Sequence, residues 1–151
     1  MRQVVRLGMA VLVASAGTLV AAPAASAVDS IGIDTAVIDA KYPGKVHATV
    51  TYTCDAPAGE RSLNVSVEQP DPQDPSTIAF GSTRVAEDLI VCDGTAQTTT
   101  VIVPSKTTNW VPDAPAIVVT TVSDIGAVPP AAADAQKITI EVDQPAAPAD
   151  S

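Results

Sequence analysis

The chain has 151 residues and a formal net charge of −9, with 17 acids against 8 basic residues. That balance argues against a nucleic-acid partner, whose phosphates need clustered cations, and against an anionic membrane surface. Only four aromatics are present (Tyr42, Tyr52, Phe80 and Trp110), so a core must be built from Val, Ile, Leu and Ala.

Residues 1–27 read as a secretory signal peptide. Arg2 and Arg6 supply a basic start, Leu7 to Val20 is an uncharged apolar run, and Ala25-Ser26-Ala27 gives the small-x-small pattern that a signal peptidase requires, with cleavage expected after Ala27. The apolar run falls short of the roughly 20 residues of a membrane span. Removing the segment takes Arg2 and Arg6 and none of the acids, so the remainder is more acidic still, which favours solubility outside the cell. The expectation is a secreted, extracellular protein with no membrane anchor after cleavage.

Beyond residue 28 the pattern is period two almost throughout. A first strand is expected within Ile31 to Ala40, and Tyr42-Pro43-Gly44 signals a turn. From Val46 to Cys54 the residues Val46, Ala48, Val50, Tyr52 and Cys54 share one face, with His47, Thr49, Thr51 and Thr53 on the other. This predicts a half-buried strand with its cysteine inward. Leu63, Val65 and Val67 alternate with Asn64, Ser66 and Glu68 in another. Pro70, Pro72 and Pro75 cannot donate to a ladder and predict an exposed loop. Thr77 to Ser82 reads as a weaker strand around Phe80, with Gly81 marking a bulge.

Leu89 to Cys92, Asp93-Gly94 and Thr95 to Val103 together predict a hairpin. Asp-Gly suits the two positive-φ positions of a type I′ turn, and Cys92 would share a face with Val101 and Val103. Ala116 to Ser123 and Gln136 to Val142 complete the strands, and Ala131 to Ala135 is compatible with one helical turn. Ile138, Ile140 and Val142 face one way in the last strand. Pro145 to Ser151 offers nothing to bury and reads as a disordered Pro/Ala-rich tail.

Seven or eight short strands between Pro, Gly and Asp turns indicate an all-β sandwich or barrel over residues 28–144, and one apolar face per strand favours the antiparallel sandwich, two sheets packed over a shared core. In an exported chain the two cysteines, Cys54 and Cys92, are expected to pair. The 38-residue separation makes that bridge worth about 4 kcal/mol on a chain-entropy basis.

Two segments, Val50-Thr-Tyr-Thr-Cys54 and Val91-Cys-Asp-Gly-Thr-Ala-Gln97, resemble a family of small exported actinobacterial proteins of unknown function. The likeness covers roughly Val46 to Val122. It implies an immunoglobulin-like β-sandwich with one disulfide, and no activity or site residue. True immunoglobulin domains place their corner tyrosine before the second cysteine and their tryptophan between the two. Here Tyr52 precedes the first cysteine and Trp110 follows both. The chain is also similar to the acidic apoproteins that carry enediyne chromophores, although those use two disulfides.

His47 is the only histidine, and its strand neighbours on that face are threonines, so no nucleophile–base–acid set is suggested and the chain is not expected to be an enzyme. Asp71, Asp74, Glu87, Asp88 and Asp93 match no calcium loop, and no metal or cofactor is expected. Asn64-Val65-Ser66 matches the glycosylation triplet but falls within a strand. Trp110, in a loop, is the candidate ligand platform; its alternative role is to cap an aromatic-poor core. The function expected is a secreted, non-catalytic binding or interaction module for an extracellular protein, a cell-wall component or a small molecule. The alternative is a small-ligand carrier.

Overall fold

The computed structural model describes residues 28–56, 60–124 and 129–144. The expected signal peptide (1–27) and tail (145–151) lie outside them. The described chain is all-β: β1 (Ser30–Ile38), β2 (Lys45–Thr53), β3 (Arg61–Pro70), β4 (Ile78–Val85), β5 (Gln97–Pro104), β6 (Ala114–Asp124) and β7 (Ala132–Val142), with one 3-10 turn at Glu87–Leu89.

Period-two patterning places the core. Val46, Ala48, Val50 and Tyr52 of β2 are buried and continue into Cys54; Leu63, Val65 and Val67 of β3 meet Ala116, Val118 and Val122 of β6. The opposite face of β2 is tied to its neighbours by hydroxyls: Thr49 to Thr100 at 3.0 Å, Thr51 to Thr98 at 2.9 Å, and Thr51 donating to Asp34 at 2.7 Å. Such cross-strand pairs hold register where no burial does. Arg61, at the start of β3, reaches Asp29 at 2.7 Å and also pairs with Asp124 at the end of β6.

The strand order is β4-β3-β6-β7-β1-β2-β5 in a single seven-stranded sheet. Five of its six pairings are antiparallel, but β1 and β7 run parallel, so the sheet is mixed and not antiparallel as expected. Their ladder covers only Val37↔Glu141 and Ile38↔Val142. Further along, β1 breaks register between Ile33 and Thr35. There the side chains of β7 take over: Asp134 accepts from the Ile33 N–H at 3.0 Å and Gln136 donates to the Ile33 carbonyl at 3.2 Å. Ile33 stays paired with Val50 of β2, and these two side chains bond its N–H and carbonyl on the β7 side, where the β1–β7 ladder does not reach.

The sheet curls until its ends, β4 and β5, touch. They meet at the bridge Gly81↔Ser105, and the Lys106 N–H donates to the Phe80 carbonyl at 2.7 Å. Gly81 is therefore not the expected bulge, since β4 pairs with β3 in unbroken register through it. It is a point of close approach, where a Cβ would overlap the Pro104 carbonyl oxygen.

Two further expectations are corrected. Ala132 to Ala135 is strand, paired with Val122 to Val119 of β6, and forms no helical turn. Leu89 to Cys92 does not form a hairpin with β5; β5 pairs with β2 instead, from Tyr52↔Gln97 to Lys45↔Pro104. Gly94 alone takes positive φ (79°) there, so the turn is not type I′.

Candidate functional site

The Cys54–Cys92 disulfide is present. Cys54 follows β2 and is fully buried, while Cys92 sits half-buried on the irregular segment between the 3-10 turn and β5. The bridge thus anchors a loop to a strand end. Two more contacts hold the same segment: the Tyr52 hydroxyl accepts from the Val91 N–H at 3.2 Å, and Ile90 enters the core. Gly94 then donates its N–H to the Cys54 carbonyl at 2.9 Å. Asp93 caps the turn by accepting from the Thr95 N–H and hydroxyl at 2.9 and 2.6 Å. Those bonds, the hydroxyl's foremost, hold its carboxyl below the ordinary value.

Trp110 is 2% exposed and packs in the core, so it offers no open face to a sugar ring. Its loop is clamped by Gln69, which is also buried. The Gln69 amide donates to the carbonyls of Val111 (2.9 Å) and Ala114 (3.2 Å), and its carbonyl accepts from the Val111 N–H at 2.7 Å. This clamp carries no sequence signal, because Gln69 precedes Pro70 in what reads as a solvent-facing stretch.

His47 lies 3.2 Å from Asp39, with both side chains partly exposed. Asp39 also accepts from the N–H groups of Lys41 and Tyr42 at 2.8 and 2.9 Å, which hold its carboxyl below the ordinary value. Asp74 is similarly lowered, chiefly by the Ser76 and Thr77 hydroxyls, within its own loop. The acids singled out in the sequence are turn-formers in separate loops. Among the described residues no three His, Cys, Asp or Glu side chains converge as a metal site.

What the structure brings together instead is a groove where the sheet fails to close. Phe80 turns its backbone toward β5, its N–H bonding to Thr107 Oγ1 at 3.0 Å. Alternation then turns the backbone of Ser82 and Arg84 the same way. On β5, the Ile102 carbonyl accepts from Thr83 Oγ1 at 2.8 Å, so Ile102, Thr100 and Thr98 present their backbone toward β4. Beyond the Thr83–Ile102 contact no ladder joins the two edges among the described residues. They diverge around an open groove of about 670 Å³. Its walls are Thr83 to Ala86 and Leu89 on one side and Thr99 to Ile102 on the other. Leu89 is 69% and Ile102 50% exposed. Arg84 stands at the mouth, paired with Glu87. The groove is thus an apolar floor between two free strand edges. Its loop wall is the segment that the disulfide anchors.

No family model matches the sequence, and no curated protein matches it. Among solved structures, the sporulation control protein Spo0M of Bacillus subtilis is similar at 19% identity and a TM-score of 0.41. The match covers 77% of this chain and 50% of that one, so this chain spans about half of its length.

Proposed function

We propose that this chain is a secreted, non-catalytic binding module whose recognition site is the β4–β5 groove. The observation that carries the reading is the pair of free strand edges over an apolar floor. An extended segment can continue either edge through main-chain hydrogen bonds while alternate side chains rest on Leu89 and Ile102. Export is supported by the character of residues 1–27 and by the disulfide, which suits an oxidising compartment. The exported actinobacterial family of the cysteine motifs remains the proposed relationship.

An immunoglobulin-like sandwich is the proposed architecture. Its support is the division of the strand order into β1-β2-β5 and β4-β3-β6-β7, joined by the short parallel β1–β7 pairing. A carrier of a small molecule is the second reading, favoured by the groove's volume, which lies in the range of small-ligand sites. Fully buried Val46, Val50, Val65 and Val118 fill the space between the facing strands, so a carried molecule would use the groove.

Native mass spectrometry of the protein recovered from its own culture medium tests both readings. A reproducible added mass that Leu89→Asp abolishes supports the groove. A peptide-sized addition favours the first reading and a smaller organic one the second. A bare protein, together with no component of culture fluid or cell wall retained on immobilised wild type beyond what the Leu89→Asp protein retains, overturns both.

A further inference from the structure

The outward face of β4-β3-β6-β7 carries more apolar surface than a solvent-facing sheet needs. Ile78, Phe80 and Ile117 are 41%, 38% and 46% exposed there. Residue pairing sets one row across all four strands: Phe80 beside Glu68, Glu68 beside Ile117, and Ile117 beside Lys137. Glu68 and Lys137 are exposed, and neither has an ion-pair partner among the described residues. They stand on either side of Ile117, two strands apart.

We propose that this face is where two copies of the chain pair, related by a two-fold axis that runs along β6 in the plane of the contact. That operation lays Ile117 on its own counterpart. It sets Glu68 against the other copy's Lys137 and, by symmetry, Lys137 against the other copy's Glu68, as an isologous contact requires. Ile78 and Phe80 lie just beyond the other copy's β7, at the margin of the contact. Charge is compatible with this face. In a chain of 17 acids and 8 basic residues, Lys106, lying over the Phe80 ring, and Lys137 both belong to it. Two acidic molecules meeting here have the Glu68–Lys137 row convert like charge into paired opposite charge.

Under this operation β3, β6 and β7 face β7, β6 and β3 of the other copy, and strands about 4.8 Å apart with four outward residues about 6.8 Å apart give these three strands a projected face of roughly 400 Å² per copy. That is the scale of a reversible, concentration-dependent dimer and not of an obligate one.

Sedimentation velocity over a concentration series, on the chain as recovered from its producing cells, tests the pairing. Wild type is expected to pass from monomer to dimer with concentration. Glu68→Lys and Lys137→Glu should each weaken association at least tenfold, and Ile117→Asp should abolish it, with circular dichroism and melting unchanged because all three positions are exposed. The decisive sample is an equimolar mixture of Glu68→Lys and Lys137→Glu. The symmetry gives two good ion pairs in that heterodimer, so it should associate as strongly as wild type. A wild type that stays monomeric to the highest concentration reached, or a mixture no stronger than its components, overturns the proposal.

Discussion

Two seams of the curled sheet, β1 against β7 and β4 against β5, are built differently. On one side β1 passes between β2 and β7, and where its ladder lapses at Ile33, Asp134 and Gln136 complete the backbone bonding. On the other side β4 and β5 are joined from the Gly81–Ser105 bridge to the Thr83–Ile102 hydrogen bond, then part. The first seam is closed by a short ladder and by two side-chain bonds to the Ile33 backbone. The second leaves two strand edges open and lined with apolar groups. A protein ordinarily covers or charges such an edge because it templates pairing with other chains. Here Arg84, paired with Glu87, stands at the rim while Leu89 and Ile102 remain exposed, and it is on this open seam that the proposed binding role rests.

Four changes would break or sharpen this contrast. The largest effect is expected from Cys54→Ala with Cys92→Ala, which should cost about 4 kcal/mol in denaturant unfolding. Hydrogen exchange should quicken around Ile90 to Cys92 well before the Ile33 amide responds; equal quickening at both would show the seams to be one cooperative unit. Next, Gly81→Ala forces a methyl against the Pro104 carbonyl and should lower stability by about 2 kcal/mol, again loosening the β4–β5 side. On the closed side, Asp134→Ala strands the Ile33 N–H and should cost about 1 kcal/mol, read by the same unfolding curves, with groove amides unaffected.

The smallest effect is with pH. The carboxyls of Asp39, Asp74, Asp93 and Asp134 are held below the ordinary aspartate value of 3.8 by hydrogen bonds in the folded chain. Their contribution is complete above that value and is lost as pH falls through the lower folded values. Melting temperature should therefore be flat from neutrality to about pH 5 and decline below about pH 4. Asp134→Asn should make that decline shallower.

Much of the fold is legible in period two alone. Val46 to Cys54, Leu63 to Val67 and Ala116 to Val122 each show which face is buried, because one buried face per strand is what alternation encodes. The bridge follows from two cysteines in a chain whose first 27 residues read as a secretory signal. Less local facts escape. Asp93-Gly94 has the composition of a hairpin turn, yet β5 finds its partner in β2, dozens of residues away, and Asp93 serves a turn stabilised by Thr95. A glycine inside a strand looks the same whether it marks a bulge or a close approach, so Gly81 was ambiguous until the Pro104 carbonyl lay beside it. The alanines at 132–135 favour helix intrinsically, but pairing with β6 overrides propensity. The groove has no local signature at all, since it arises from edges that almost meet.

The parallel course of β1 and β7 has a mechanical consequence. Parallel neighbours carry the described chain in at one pole of the domain, near Ser30, and out at the opposite pole, near Val142. Tension applied between those poles pulls β1 and β7 along their length in opposite directions. The Val37–Glu141 and Ile38–Val142 ladder and the Asp134 and Gln136 bonds to Ile33 then bear load together in shear and do not peel open one by one. A domain so strung resists stretching better than its modest number of shared β1–β7 contacts would suggest.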